Sequence, residues 1–245
     1  MLESPAVDYY RATAGPGLDL PSLRGTVSTR VCVIGGGFAG LNTALGLVER
    51  GLPDVVLLEA GTVGYGASGR NGGFVFAGYS RGEADLLADL GPEAARVLYR
   101  RTQDTQWQPI DRSRQRRKVK SDRYSAALFE PQAFHFHPLK YARGLARTLQ
   151  HLGTPVHEAS PAIDLRRHGA GWRVETPGGV VEAEQVVLAC GGYLAGLVPK
   201  VDASVLPIAT YVVVTEPLGA RAADVLDTQA AVYDSRFAFD YYRLL

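Results

Sequence analysis

An α/β fold organised on a parallel sheet is the architecture that this 245-residue sequence predicts, and three observations carry the prediction. Val31-Cys32-Val33-Ile34 is a short, β-branched apolar run of the kind that forms a strand buried on both faces. From Phe38 to Arg50 the apolar residues Leu41, Ala44, Leu45 and Val48 recur at helical spacing, and Gly51 is placed to stop the helix. Val55-Val56-Leu57-Leu58 then repeats the buried-strand signature. Strand, helix and strand in so short a span make a βαβ unit, whose crossover leaves its two strands parallel.

The turn between the first strand and the helix carries chemistry. Gly35, Gly37 and Gly40 fall at the spacing G-x-G-x-x-G, with Phe38 and Ala39 opening the helix between the last two. Gly35 lets the backbone leave the strand sharply, Gly37 has no Cβ to block a diphosphate, and Gly40 lets the helix pack close to the sheet. The first helical N–H groups and the positive end of the helix then face the phosphates. Glu59 closes the second strand nineteen residues beyond Gly40, where an acid takes the ribose hydroxyls. A carboxylate there favours a free 2′-hydroxyl over a 2′-phosphate, which selects FAD or NAD over NADP.

Beyond Glu59 the stretch Gly64 to Gly73 holds five glycines in ten residues, with Ser68 and Asn71 as short hydrogen-bonding groups. Gly35 to Gly40, Glu59-Ala60 and Gly66-Ala67-Ser68-Gly69-Arg70-Asn71-Gly72-Gly73 together resemble the FAD-dependent D-amino-acid oxidase superfamily. Within it they most resemble the branch of gamma-glutamylputrescine, glycine and sarcosine oxidases. The resemblance implies a Rossmann-like FAD-binding domain, a parallel sheet with a small antiparallel meander, interleaved with a partial α+β substrate domain. Residues 1–78 and 138–200 are expected to form the first, and 79–137 and 201–245 the second. It implies FAD as cofactor, with contacts from Ala60 and, along the diphosphate and ribityl chain, from Ala67, Ser68, Arg70, Asn71 and Gly72. Backbone at Ala162 is expected to meet the adenine, and Ala189 and Gly191 to approach the cofactor from the end of a returning strand.

The activity so implied is oxidation of the C–N bond of a small-molecule amine or amino acid, with hydride passing to flavin N5, oxygen as acceptor and hydrogen peroxide released. No catalytic residue is assigned, although Arg70, Tyr241, Tyr242 and Arg243 could line a site and are equally accounted for by loop anchoring and sheet packing. Family members continue beyond the position of Leu245, so the chain is expected to be C-terminally truncated. Two other readings stay open: a flavin-binding remnant without turnover, and a quinone- or NAD-linked dehydrogenase.

In chain order, Val7, Tyr10 and Ala14 predict a short helix over Ser4–Ala14, ended by Gly15-Pro16-Gly17, and Pro21–Thr29 reads as a linker into the sheet. Arg81–Leu90 and a second run from Pro92 to about Trp107 read as helices separated by Gly91. Arg100 to Arg123 holds nine basic residues against Asp104, Asp111 and Asp122. A nucleic-acid arm is one reading, a solvated loop the favoured one for want of interleaved aromatics, and a deletion join the third. Phe134–His137 alternates like a strand, and two histidines at i and i+2 without a third ligand argue against a metal. Pro138–Leu152 is an amphipathic helix with Gly153 as its stop.

Pro155–Glu158, then Ile163–Arg167, Trp172–Thr176 and Val180–Ala183, read as a strand and a three-stranded meander. Val186–Gly192 reads as a separate buried strand, Ile208–Thr215 as a long strand, Ala220–Leu226 as a short helix, and Ala231–Tyr233 and Phe237–Arg243 as the last two strands. The net charge of +1 gives no general attraction for nucleic acid or an anionic membrane. Cys32 and Cys190 read as free thiols in buried strands. With no basic n-region at the N-terminus and no apolar run of spanning length, the sequence predicts a cytoplasmic protein without a membrane span.

Overall fold

The structure is a computed structural model that describes residues 8–77, 83–103, 107–234, 236 and 240–245. Its elements are, in chain order, α1 (Tyr9–Thr13), β1 (Gly25–Ile34), α2 (Phe38–Glu49), β2 (Val55–Leu58), β3 (Phe74–Val75), α3 (Glu83–Gln103), β4 (Gln108–Ile110), α4 (Arg112–Lys118), β5 (Ala127–Phe129), β6 (Phe134–His135), α5 (Pro138–His151), β7 (Val156–His157), β8 (Asp164–His168), β9 (Gly171–Glu175), β10 (Gly179–Leu188), α6 (Pro199–Asp202), β11 (Val232–Tyr233) and β12 (Tyr241–Tyr242). They fall into two compact units, residues 1–71 with 137–213 and residues 72–136 with 214–245.

The first unit is a six-stranded sheet in the order β7-β2-β1-β10-β9-β8. β7, β2, β1 and β10 run parallel, β9 pairs antiparallel with β10, and β8 antiparallel with β9. Alternate residues of the central strands feed two cores. Val31, Val33, Val55 and Leu57 meet Leu41 and Ala44 of α2 and Ala142, Ala146 and Leu149 of α5. On the other face Cys32, Ile34, Val56 and Leu58 meet Leu23, Val174, Val181 and Ala183. This two-sided burial explains why β1 and β2 read as continuous apolar runs.

Helix α5 begins where Pro138 fixes its first turn and the His137 ring accepts the Lys140 N–H at 3.2 Å. It ends at Gly153, whose φ of 80° suits a residue without Cβ. Leu139, Ala142, Ala146 and Leu149 are buried as its period demands, while Leu145 is only partly covered.

Several boundaries differ from the sequence reading. β1 starts at Gly25, so most of the expected linker is strand, paired residue for residue with β10 from Gly25↔Gly179 onward. The third meander strand and the strand expected at Val186 are one ten-residue element, β10, because β1 pairs with it along its whole length. Cys190 lies beyond its end and is only half-buried, in contrast to the fully buried Cys32.

The second unit contains three two-stranded ribbons, β3-β6, β4-β5 and β11-β12. α3 is broken at Gly91, which has φ 74° and ψ 167°, as the two-helix reading requires. Within the basic stretch residues 104–106 lie outside the described residues, and part of the expected loop is helix: Asp111 caps α4 by accepting the Arg114 N–H at 2.9 Å, and Gln115 is its buried contact. Ala220–Leu226 is a 3₁₀ turn over Gly219–Asp224 in place of an α-helix. The N-terminal helix is confined to Tyr9–Thr13, with Ser4–Val7 outside the described residues, as are Phe237, Ala238 and Phe239 of the last expected strand.

The largest departure is Ile208–Thr215. It forms no strand, and Leu206, Ile208, Tyr211 and Val213 are all exposed. Strand propensity describes a fit to neighbours on a pleated surface, and among the described residues this segment has no neighbouring strand.

Leu57 is fully buried, so Leu57→Ala should lower unfolding stability by about 2–5 kcal/mol, read from urea denaturation. Burial pushes the Cys32 thiol up to about 12, so a disulfide reagent at mild alkaline pH should modify Cys190 in the native chain and Cys32 only once the chain unfolds.

Candidate functional site

The carboxyl ends of β7, β2, β1 and β10 converge where the chain, having crossed from β1 to β2 by α2, returns on the other side of β1. In open α/β sheets this switch point is where ligands bind. The turn Gly35–Gly40 occupies it. Gly35 has φ 118°, and a Cβ there would lie 2.5 Å from the Ala189 carbonyl at the end of β10. A Cβ on Gly40 would run into the Gly35 carbonyl, so the helix can begin this close to the strand only with glycine.

The mouth of the turn is open. The Phe38 ring turns away onto Tyr141 of α5, 5.4 Å between centroids, and the side chain that stands beside Gly37 is that of Ser68. The Phe38 N–H donates to the Ser68 hydroxyl at 2.9 Å, while the N–H groups of Gly37, Ala39 and Gly40 meet no acceptor among the described residues. A Cβ on Gly37 would sit 2.8 Å from that hydroxyl. A concave nest of unpaired N–H groups at the positive end of a twelve-residue helix fits a diphosphate.

Glu59 faces this turn. Its carboxylate accepts the Gly36 N–H at 2.7 Å and the Gly61 N–H at 2.8 Å. Burial raises its pKa, the Gly61 and Gly36 bonds oppose that shift, and Glu158 adds to it. Glu158 is itself buried and accepts N–H bonds from Val63 at 2.6 Å and Leu20 at 3.2 Å, tying the β7 end to the loop after β2. Ser160 N–H donates to the Glu59 carbonyl, which brings the segment leading to Ala162 alongside Glu59. Ala60 is exposed beside it. Opposite, the Ala189 N–H donates to Ile34 and the Cys190 thiol reaches the same carbonyl at 3.4 Å. Burial and then the charge of Glu59 raise the Cys190 pKa, and Gly191 turns the chain with φ 55°.

The glycines of the loop Gly64–Asn71 are closely packed. Gly64 and Gly69 are spaced for packing against Leu139 of α5, and a Cβ on Gly66 would strike the Tyr193 ring at 2.9 Å. Asn71 donates to the Ala67 and Ser68 carbonyls, folding the loop on itself. Arg70 lies over the Tyr65 ring at 4.9 Å and 4.0 Å from the Asp8 carboxylate, and Arg11 approaches the same ring. Asp8, Tyr65, Tyr193 and Glu158 were not singled out from the sequence. Only Tyr193, an aromatic directly after the glycine pair that ends a buried strand, carried a usable signal there.

Gly72 belongs to the second unit, where a Cβ would lie 2.8 Å from the Tyr241 ring. In that unit Arg243 bonds the His135 ring and the Phe136 carbonyl, and Tyr242 donates to the Tyr124 hydroxyl. His137 caps α5 in the first unit, and no cluster of three metal-ligating side chains occurs among the described residues.

Comparison with known proteins bears on this geometry. The family described as FAD dependent oxidoreductase, DAO, matches residues 30–109 and 99–244. Gamma-glutamylputrescine oxidoreductase of Escherichia coli is 32% identical over 285 residues, spanning 96% of this chain and 66% of that protein. Probable oxidoreductase OrdL of Haemophilus influenzae is 29% identical over 290 residues, spanning 96% and 67%. The chain thus spans about two thirds of these relatives' length. Both alignments are longer than the 245 residues of the chain, so each relative has at least 40 positions here that this chain lacks, and the two family matches meet at residues 99–109, beside the basic segment. Glycine oxidase from Bacillus cereus superposes with a TM-score of 0.56 at 21% identity, over 71% of this chain and 58% of that one. L-amino acid deaminase from Proteus vulgaris gives 0.53 at 22%, over 71% and 50%. Both share the fold.

Because the folded chain holds the Glu59 proton more tightly than the unfolded chain does, the contribution of that proton to stability is complete below the ordinary glutamate range and fades as pH rises through the raised value. Glu59→Gln removes this titration. Urea midpoints should show the wild type losing ground to the variant as pH goes from about 4 to about 7.

Proposed function

Because the chain belongs to the DAO family of FAD-dependent oxidoreductases, we propose that the turn Gly35–Gly40 and Glu59 hold the diphosphate and adenosine ribose of FAD in an enzyme that oxidises the C–N bond of an amine or amino acid. The observation that carries this reading is the set of unpaired N–H groups at Gly37, Ala39 and Gly40, with the Glu59 carboxylate beside them. On this reading residues 1–78 and 138–200 form the cofactor domain, and 79–137 and 201–245 contribute to the substrate domain.

When bound, FAD supplies an acceptor for the hydride of the substrate C–H bond and a carrier that passes the electrons on, for which we take oxygen, with peroxide as product. The chain's own residues bind and orient it. Ala39 and Gly40 donate N–H bonds to phosphate oxygens, and the Ser68 hydroxyl, already an acceptor from Phe38, has its hydrogen available for one more. Glu59, its direction fixed by two backbone N–H bonds, accepts from the ribose hydroxyls. Ala60 and backbone at Ala162 border the adenine, while Ala67, Arg70, Asn71, Gly72, Ala189 and Gly191 border the rest of the cofactor. In this arrangement Arg70 acts through the order of its loop, since Asp8 and Tyr65 already engage it. The gamma-glutamylputrescine relative favours an amine over a hydroxy acid as substrate.

Flavin absorbance and fluorescence quenching on titration with FAD test the reading. Glu59→Gln should weaken binding about ten- to a hundredfold, the loss expected when hydrogen bonds to a charged acceptor are removed, while the chain stays folded. Equal FAD affinity of variant and wild type would defeat the assignment. Peroxide release with glutamyl-putrescine, putrescine or glycine then separates an oxidase from a flavin carrier without turnover.

A further inference from the structure

The basic stretch takes no part in the proposed cofactor site, and it lies just beyond residues 99–109, which the two family matches share. Between Asp111 and Arg123 seven basic residues face two acidic ones, a net +5, whereas the whole chain carries +1, so the remaining 232 residues sum to −4. The charge is concentrated, and the fold presents it outward. Gln115 is the buried residue of α4 and Val119 is half-buried one turn later, where it bridges to Leu226. The inward positions of the helix are therefore taken by these two, and Arg112, Arg114, Arg116, Arg117, Lys118 and Lys120 are all exposed. Arg116 pairs with Asp122 and Arg117 reaches Ser113. Arg112, Arg114, Lys118 and Lys120 have no ion-pair partner among the described residues.

Large apolar side chains stand beside this charge. β4 leads directly into α4 and pairs with β5 in the register Pro109↔Leu128 and Gln108↔Phe129. Leu128 is 60% exposed and Phe129 40%. Leu128 thus sits opposite a residue only three positions before Arg112. Exposed leucine and phenylalanine next to a row of unpaired cations is the chemistry of a surface that meets acidic headgroups with its charges and enters the acyl boundary with its apolar side chains. Nucleic acid would use the charges and gain nothing from Leu128.

We infer that α4 together with the β4–β5 ribbon is a peripheral docking surface for an anionic phospholipid bilayer. Attachment through these exposed charges is salt-sensitive, and no helix among the described residues is long and apolar enough to cross a membrane.

Co-sedimentation of the full chain with vesicles tests it, using phosphatidylcholine alone and phosphatidylcholine with phosphatidylglycerol at roughly three to one. The chain should sediment with the anionic vesicles at low salt, release as salt is raised, and stay in solution with the neutral ones. Arg112→Glu/Arg114→Glu/Lys118→Glu should lower the partition coefficient at least tenfold, and Leu128→Asp/Phe129→Asp should lower it severalfold with all charges of α4 in place. Far-UV circular dichroism checks the fold of each variant. Should the reversal variant be misfolded, the salt series on the wild type and single Gln substitutions give the same reading. Absence of sedimentation with anionic vesicles at low salt would overturn the inference, as would equal binding by the triple variant. RNA that displaces the chain while the Leu128/Phe129 variant binds vesicles as well as wild type would also overturn it, leaving a general polyanion site.

Discussion

Two hydrogen bonds to one carboxylate hold the first unit's site in shape. Glu59 takes the Gly36 and Gly61 N–H groups with its two oxygens, and so joins the turn after β1 to the turn after β2. Neighbouring bonds depend on that join. Gly64 N–H reaches the Gly36 carbonyl, Ala159 N–H reaches Gly61, and Ser160 N–H reaches Glu59 itself. Placing a carboxylate in so poorly hydrated a position is costly, as its raised pKa records, and the backbone bonds offset that cost while fixing its direction. An acid held in this way has little freedom left to lose.

Much of this core was legible in the sequence because its determinants are local. Val31–Ile34 and Val55–Leu58 are apolar at every position, which only a strand covered on both faces permits, and the period of Pro138–Leu152 matches its buried face. Gly35, Gly40 and Glu59 were readable for a related reason: each is required by backbone geometry or by its place at a strand end.

What escaped the sequence depends on partners distant in the chain. The start of β1 at Gly25 follows from its register with β10, more than 150 residues away, and Thr26 and Ser28 carry no apolar signature of their own. Ile208–Thr215 fails in the opposite sense, since its β-branched residues ask for a sheet that the described residues do not provide. The loop glycines had a third difficulty. Glycine serves close packing and ligand approach alike, and only the positions of Leu139 and Tyr193 reveal that Gly64, Gly66 and Gly69 are used for packing. α4 was hidden because five basic residues suppress an apolar period, leaving Gln115 and the Asp111 cap as its determinants.

β10 bears on the mechanics of the candidate site. One strand is shared by two sub-assemblies: it is zipped to β1 from Gly179 to Leu188 and, over its first half, to β9 on its other edge. Its far end delivers Ala189 to the Gly35 turn. The meander therefore acts as a buttress for the glycine turn and not as an appendage. Strain applied at Trp172 or Arg173 is carried along a single rigid backbone to the place where Gly35 touches Ala189, so the outer edge of the sheet helps set how closely the two lips of the site approach each other.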